Sequence, residues 1–259
     1  MLLTCPCHRS EFLLKYNLGV EAHIGKSEQL EDWERYIPFV KGVHLPYAHL
    51  NLSAFDDALR QSSIDRIKES IDIGLKFPVN KMVMHTLGIE TWDEGTLGNY
   101  ERMIDGMREI ADYANTKGIT ICIENSAHHI PQRIIYGVSA EEWDQIQKDV
   151  NRSNVLLTLD TSHAAAAAAF IKKDGTAQDR FDYLYEFLKH PELIGWIHWS
   201  DSLLTNNESY MNDFHLPVGF GDLPKDFHKK INELTVVKTL ERSNPEADVI
   251  KELEFIEKL

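Results

Sequence analysis

The sequence predicts an eight-stranded TIM barrel, and two observations carry that prediction. Eight short apolar or β-branched runs recur along the 259 residues, and amphipathic stretches of helical periodicity fill most of the gaps between them. A doubly wound sheet is the alternative fold, but the sequence shows no glycine-rich turn between a strand and a helix, since the GxG of VGFGDLP follows no strand and lacks a third glycine. We therefore expect residues 1–259 to form a single TIM-barrel domain.

Each predicted strand is a short run bounded by polar or turn residues. The runs are LLTCPC (2–7), LGVEAHI (18–24), KGVHLPY (41–47), NKMVMHT (80–86), ITICIEN (119–125), VLLTLDT (155–161), GWIHWSD (195–201) and VVKTLER (236–242). The amphipathic stretches are 27–40, 62–77, 97–117, 139–150, 177–190 and 245–259. HRSEFLLKYN, between the first two runs, leaves room for a helix of about two turns. Six alanines after the sixth run predict a helix packed closely on the sheet.

The composition is that of a globular enzyme, with 43% hydrophobic and 26% charged residues. No apolar run approaches the ~20 residues of a membrane span, and no secretory signal is evident, so a cytoplasmic location without membrane association is expected. No protein partner is evident from the sequence. Three cysteines argue against a disulfide scaffold, and Cys5 and Cys7 are interpreted as ordinary barrel positions. A net charge of −14 opposes non-specific binding to a phosphate backbone unless positive charge is concentrated locally.

Histidines and carboxylates stand at or just after the carboxyl ends of the predicted strands, where TIM barrels carry their active sites, and NDFH in the connection after the seventh run adds two more. The nine candidates are His44, His85, Glu124, Asp160, His163, His198, Asp213, His215 and Glu241. Four carboxylates around one mouth would repel each other strongly unless cations lay between them. Imidazole mixed with carboxylate suits Zn²⁺, with Mn²⁺ or Fe²⁺ as alternatives, and nine ligands fit two or three ions rather than one.

Several of these residues lie in motifs that resemble a known family. HLPY, MVMHTLG, ICIENSA, LTLDTSHAAAA, WIHWSD, NDFH followed by GFG, and TLER occur in the order and approximate spacing of the endonuclease IV family. The chain thus resembles AP endonuclease family 2, of the xylose isomerase-like TIM barrel superfamily, over roughly residues 43–244.

The resemblance implies a role for each of the nine candidates, because every ligand position of the family is filled by a matching residue type. One zinc would be bound by His44 and His85, and Glu124 would bridge it to a second zinc. The remaining ligands implied for the second zinc are Asp160, His198 and Glu241, and those for a third are His163, Asp213 and His215.

Departures from the family pattern fall around the ligands. The proline expected after His85 is lost, the arginine expected between Asp213 and His215 is Phe214, GEG is GFG, and the loop after Glu124 reads SAHHIP. These changes spare the metals and alter the substrate surface. The predicted substrate-binding residues are Tyr47, which the family shares, and His128, His129 and Phe214.

The leading functional hypothesis is a metal-dependent phosphodiesterase that acts on abasic DNA or another phosphoester. In this hypothesis a metal-bound hydroxide is the nucleophile, and Glu124 serves as the bridging ligand. The alternative is a metal-dependent sugar isomerase or epimerase of the same superfamily, which gives His163, Asp213 and His215 no obvious task. A barrel that binds metal or a partner without catalysis is a third possibility, and the complete ligand set argues against it.

Overall fold

The fold is a closed barrel of eight parallel strands, seen in a computed structural model that describes residues 1–5, 8–24, 36–87, 89–91, 98–127, 133–205, 213–242 and 244–259. The barrel strands are β1 (Leu2–Thr4), β2 (Gly19–His23), β3 (Val40–His44), β4 (Lys81–His85), β6 (Thr120–Glu124), β8 (Val155–Asp160), β9 (Ile194–Trp199) and β10 (Val237–Leu240). Each coincides with one of the eight predicted runs. The predicted TIM barrel is therefore confirmed.

Around the barrel the strands follow their order in the chain, and β10 closes the ring by pairing with β1. The register brings polar strand ends to one level. His85 pairs with Glu124 across β4 and β6, and Asp160 pairs with His198 across β8 and β9. Two further strands, β5 (Ile89–Thr91) and β7 (Arg133–Ile135), pair antiparallel outside the barrel, an element that the sequence pattern does not predict.

In the described ranges, a helix follows each barrel strand except β2. The helices span Ser10–Tyr16, Asp57–Gly74, Tyr100–Thr116, Ala140–Val150, Thr161–Ile171, Ala177–Leu184, Lys225–Glu233 and Glu246–Ile256. The stretch 177–190 is α-helical only to Leu184 and continues as a 3-10 turn over Tyr185–Leu188. The helix Lys225–Glu233 was not predicted. In the described part of the chain no helix is long and apolar enough to cross a membrane.

Helical periodicity was predicted over residues 27–40, and this prediction is wrong at the carboxyl end of the stretch. Residues 27–35 lie outside the described ranges. Residues 37–39 form a turn, and Val40 is the first residue of β3 rather than the last of a helix. The physical reason is sheet pairing, because Val40 lies opposite Val20 of β2 and is fully buried there. β-branched valine is well suited to that position.

The strand β8 passes into the following helix without a loop. Asp160 is both the last strand residue and the N-cap of the helix, and its Oδ1 accepts a hydrogen bond from the His163 backbone N–H at 2.8 Å. Residues 164–168 are alanines with no exposed surface, so the helix lies close against the barrel. This junction brings Asp160 and His163 to the same mouth of the barrel.

Inside the barrel, a small apolar layer lies below the polar strand ends. It consists of Leu3, Val83, Cys122 and Trp196, all fully buried. Val83, Cys122 and Trp196 each stand two residues before a polar strand-end residue, so they occupy the next inward-facing layer about 7 Å deeper. Gly42 makes room for the indole, because a Cβ at that position would lie 2.0 Å from Trp196 Cη2.

Candidate metal centre

All nine predicted ligands gather at one end of the barrel. Three groups bring one ligand atom per residue to within 4.8 Å of each other. The groups are His44, Glu124 and His198; then Glu124, Asp160, His198 and Glu241; and then Asp160, His163 and His215. His85 and Asp213 join them through shorter pairwise contacts to Glu124 and His215. The groups overlap through Glu124, Asp160 and His198, so they form one continuous cluster.

Glu124 lies at the centre of this cluster and is fully buried. Its Oε2 is 3.2 Å from His44 Nε2 and 3.3 Å from His85 Nε2. Its Oε1 faces the other side, 3.1 Å from His198 Nδ1 and 3.4 Å from His163 Nδ1. The two oxygens thus face different imidazoles, which is the arrangement that a carboxylate bridging two ions requires.

Backbone carbonyls fix two of the imidazoles. His44 Nδ1 lies 2.7 Å from the Leu45 carbonyl oxygen, and His163 Nδ1 lies 2.8 Å from that of Asn125. A carbonyl can only accept, so each Nδ1 carries a hydrogen, and Nε2 is the nitrogen of each ring that could act as a metal ligand. In His44 that Nε2 faces Glu124, and in His163 it lies 3.8 Å from Asp213 Oδ2.

The third group lies where the chain returns to the barrel after β9. His215 Nε2 is 2.8 Å from Asp213 Oδ1, and its Nδ1 is 3.2 Å from Glu241 Oε2 and 3.9 Å from Asp160 Oδ2. His215 has a φ of 44°, in the left-handed region that few non-glycine residues adopt. Its backbone N–H donates to Ser162 Oγ at 3.1 Å, which ties it to the helix that begins after Asp160.

The donor set of this cluster fits divalent metal ions. Asp160 Oδ2 and Glu241 Oε2 are buried and accept no hydrogen bond from any described residue. Burial and the charge of Glu241 raise the pKa of Asp160 well above its usual value. A cation between the two carboxylates would remove that repulsion. Nitrogen and oxygen ligands of this kind suit Zn²⁺, Mn²⁺ or Fe²⁺ alike, so the buried groups can hold metal ions whose identity they do not specify.

The imidazoles of the cluster differ in how strongly they hold protons. Burial lowers the pKa of His85 to about 3, so its ring is neutral and can act as a ligand. Burial also opposes the charged form of His215, but the charges of Asp160 and Glu241 outweigh it and raise the pKa of His215 to about 12. Protons and metal ions compete for this ring, so metal binding here should release a proton.

The sequence pattern does not single out Glu21, which supports His198 from inside the barrel. Glu21 is fully buried on β2, and both of its oxygens lie 3.2 Å from His198 Nε2. Thr239 Oγ1 also donates to Glu21 and in turn accepts from Trp196 Nε1. With Nε2 held by a carboxylate, His198 presents Nδ1 to the cluster. The only signal in the sequence for this placement of Glu21 was that Glu21 and His23 stand two residues apart along LGVEAHI, on the same face of the strand.

His23 is not among the predicted site residues, and the structure places it at the site. Its ring stacks on that of His44, with centroids 4.6 Å apart and planes 6° apart. It also lines the pocket over the cluster. Its position at the end of β2 was the signal for this placement.

Two adjoining pockets open above the cluster. The first, of about 550 Å³, includes Tyr47, a residue that is 55% exposed and whose ring centroid lies 4.8 Å from that of His85. The second, of about 700 Å³, is lined in part by Phe214 and Cys5. Burial and the charge of Glu241 raise the pKa of Cys5 to about 12, so its thiol stays protonated. Cys7, His128 and His129 lie outside the described residues.

A sequence profile described as the xylose isomerase-like TIM barrel matches residues 27–259. The chain belongs to this family. The resemblance to AP endonuclease family 2 is thereby confirmed at the level of the family.

Curated relatives of this family member match it over part of its length. An uncharacterized protein of Methanocaldococcus jannaschii is 27% identical over 135 residues, which cover 51% of this chain and 45% of that protein. The D-psicose 3-epimerase of Agrobacterium fabrum is 30% identical over 125 residues, which cover 44% of this chain and 39% of the epimerase. The chain thus spans less than half the length of these two relatives.

Solved structures of two kinds share the fold. A D-tagatose 3-epimerase-like protein has a TM-score of 0.69 and 21% identity, with 96% of this chain and 91% of that chain covered. Endonuclease IV from Thermus thermophilus has a TM-score of 0.67 and 18% identity, with 100% of this chain and 99% of that chain covered. The family therefore places the chain among xylose isomerase-like barrels without separating hydrolysis from sugar epimerisation.

Proposed function

We propose that this chain is a metal-dependent phosphoesterase that acts on a phosphodiester, with abasic DNA as one candidate substrate. The observation that carries the proposal is that His163 and His215 both lie against Asp213, beside the Glu124 centre. An isomerase that polarises two adjacent oxygens needs only one or two ions, and this group would have no task in it.

The residues of the cluster would hold two or three divalent ions, with Zn²⁺ as the leading candidate. Such ions, when bound, activate water at neutral pH and neutralise the charge of a phosphoryl group. Glu124 would hold the first two ion sites at a fixed separation, because its two oxygens face different imidazoles. Asp160 would link the second and third sites, because its carboxylate lies near the rings of both His163 and His215.

Side chains around the mouth would position the substrate. Tyr47 has an exposed ring directly over His44 and His85, so it can contact a substrate that reaches the first ion site. Phe214 presents an apolar ring in the second pocket, where the resembling family has arginine. Backbone contacts to DNA would accordingly be fewer than in endonuclease IV-type enzymes, and we expect weaker and strongly salt-sensitive incision of abasic DNA.

The decisive experiment combines metal analysis with a hydrolysis assay. Purified protein should contain about three ions per chain and should cleave an activated diester such as bis(p-nitrophenyl) phosphate, and a chelator should abolish the cleavage. Asp213→Asn should remove one ion and most of the activity while leaving the ions at Glu124 in place. Arg152→Gln, at the opposite end of the barrel, is the matched control and should change neither quantity.

A sugar epimerase is the second candidate, and the D-psicose 3-epimerase relative favours it. Glu241 lines both pockets and Glu124 lies buried in the same cluster, so these two carboxylates could exchange protons with a bound ketose. Incubating the metal-loaded protein with a ketose and separating the products by chromatography would test it. Conversion of the ketose, with no hydrolysis of any phosphoester and only one ion per chain, would overturn the phosphoesterase proposal.

A further inference from the structure

The second pocket contains a cation that no predicted role uses. Arg242 follows the candidate ligand Glu241 directly and lines this pocket with Cys5, His23 and Phe214. The remaining lining residues, Asp213, His215 and Glu241, belong to the candidate metal centre and also line the first pocket. Arg242 therefore lines a space that adjoins the candidate metal centre.

Arg242 is distinctive by its charge. Among the described residues that line the two pockets, it is the only arginine or lysine, in a chain whose net charge is −14. It makes no salt bridge with any carboxylate in the described ranges. Its recorded side-chain hydrogen bond runs from Nη1 to the backbone carbonyl of Phe214, at 2.7 Å. A guanidinium has five N–H donors, so this bond orients the group and leaves donors for a ligand.

The backbone holds Arg242 in a costly conformation. Its φ of 98° lies in the region that side chains rarely adopt, and its carbonyl oxygen accepts from the Asn244 N–H at 2.9 Å. Such strain costs on the order of 1–3 kcal/mol and persists where surrounding structure imposes it, often at functional sites. Here the strain accompanies the turn that presents Glu241 to the cluster and Arg242 to the neighbouring pocket.

We propose that Arg242 binds an anionic phosphoryl oxygen of the substrate and thereby sets the preference of the site for phosphoesters over neutral sugars. The inference rests on the proposed function and assigns its substrate class to a residue. The chain has phenylalanine at the position where the resembling family carries arginine, and the Phe214 carbonyl instead holds the guanidinium of Arg242. The bidentate fork of arginine matches two oxygens of a phosphoryl group.

Binding of inorganic phosphate to the metal-loaded protein, measured by calorimetry, tests the proposal directly. Arg242→Gln should weaken phosphate binding by about 10- to 100-fold, the range for losing a charge-assisted hydrogen bond. The phosphate affinity of Arg242→Lys should lie between those of Arg242→Gln and the unchanged protein, because lysine keeps the positive charge but lacks the two-pronged donor geometry of arginine. Arg152→Gln should bind phosphate as the unchanged protein does, since Arg152 lies before β8 at the far end of the barrel and also donates to a carbonyl.

The phosphoryl oxygen that Arg242 contacts could belong to the scissile group or to a neighbouring phosphate, and kinetics distinguish these two cases. If Arg242 contacts the scissile group, Arg242→Gln should raise KM for a minimal diester. If it contacts a neighbouring phosphate, KM should rise only for a diester that carries a second phosphate. An unchanged phosphate affinity in Arg242→Gln, or a loss of metal from that variant, would overturn the proposal. Phosphate binding that depends on Arg242 in a protein without phosphoesterase activity would instead overturn only the proposed function.

Discussion

Replacing Glu21 by glutamine tests whether a side chain inside the barrel controls metal affinity at the mouth. Glu21 has no exposed surface, and its two oxygens lie 3.2 Å from His198 Nε2, which is itself almost fully buried. Glutamine keeps the volume and one acceptor oxygen but loses the charge. It also turns one oxygen into an NH₂ group facing Thr239, whose hydroxyl donates to Glu21 in the native chain.

The expected effect follows from what the carboxylate does to the imidazole. A buried carboxylate on Nε2 makes Nδ1 a stronger ligand and fixes the ring, and losing such a partner typically costs about 10- to 100-fold in metal affinity. That range corresponds to about 1.4–2.7 kcal/mol. Because Nδ1 of His198 lies within ligand distance of Glu124 and Glu241, the loss should fall on the ion that these residues share.

Metal affinity can be measured by competition with a chelator of known affinity at fixed pH, and thermal melting of the metal-free protein checks folding. Glu252→Gln is the matched control, because Glu252 is an equally buried glutamate on the last helix, bonded to the Val218 N–H and away from the cluster. Unchanged affinity in Glu21→Gln, with both variants folded, would refute a positioning role for Glu21.

Three other predictions address the core, the bridge and the response to pH. Gly42→Ala should lower the free energy of unfolding by about 1–3 kcal/mol or more in denaturant titrations, because its Cβ would lie 2.0 Å from Trp196; an unchanged midpoint would contradict the packing described. Glu124→Ala should abolish diester cleavage and lower the occupancy of two ions, as measured by elemental analysis. Glu124→Gln should keep the shape of the side chain and bind the ions more weakly. Full metal content in the alanine variant would exclude a bridging role for Glu124. Burial raises the pKa of Glu252 to about 7, so its contribution to stability is complete below about pH 4.5 and is lost as the pH rises through 7. The loss amounts to about 3 kcal/mol at most, and Glu252→Gln should flatten the pH dependence of the melting temperature relative to the unchanged protein.

The barrel strands and the nine candidate ligands could be predicted from the sequence because both depend on local pattern. Short β-branched runs define the strands, and a polar residue at the end of each run falls at the mouth whatever its neighbours are. The metal-binding roles of these residues stay predictions until ions are measured. That these residues gather at one end of the barrel could be predicted from the order of the strands alone.

Glu21 and Arg242 could not be assigned in the same way, because their roles depend on contacts between segments distant in sequence. Glu21 meets His198 across 177 residues, and Arg242 is oriented by a carbonyl 28 residues earlier. The pair β5 and β7 was missed because each strand has three residues, too few for alternation to be read. The helix Lys225–Glu233, at nine residues, is similarly short for a periodicity argument.

The apolar layer around Trp196 makes the mouth a one-ended chamber. Because Leu3, Val83, Cys122 and Trp196 fill the barrel beneath the cluster, ions and substrate have no path through the opposite end. Whatever binds at the mouth would therefore enter and leave by the same opening. If the cluster holds ions, a ligand seated over it would cover their way out, and exchange of metal with the solvent should then slow as the ligand concentration rises.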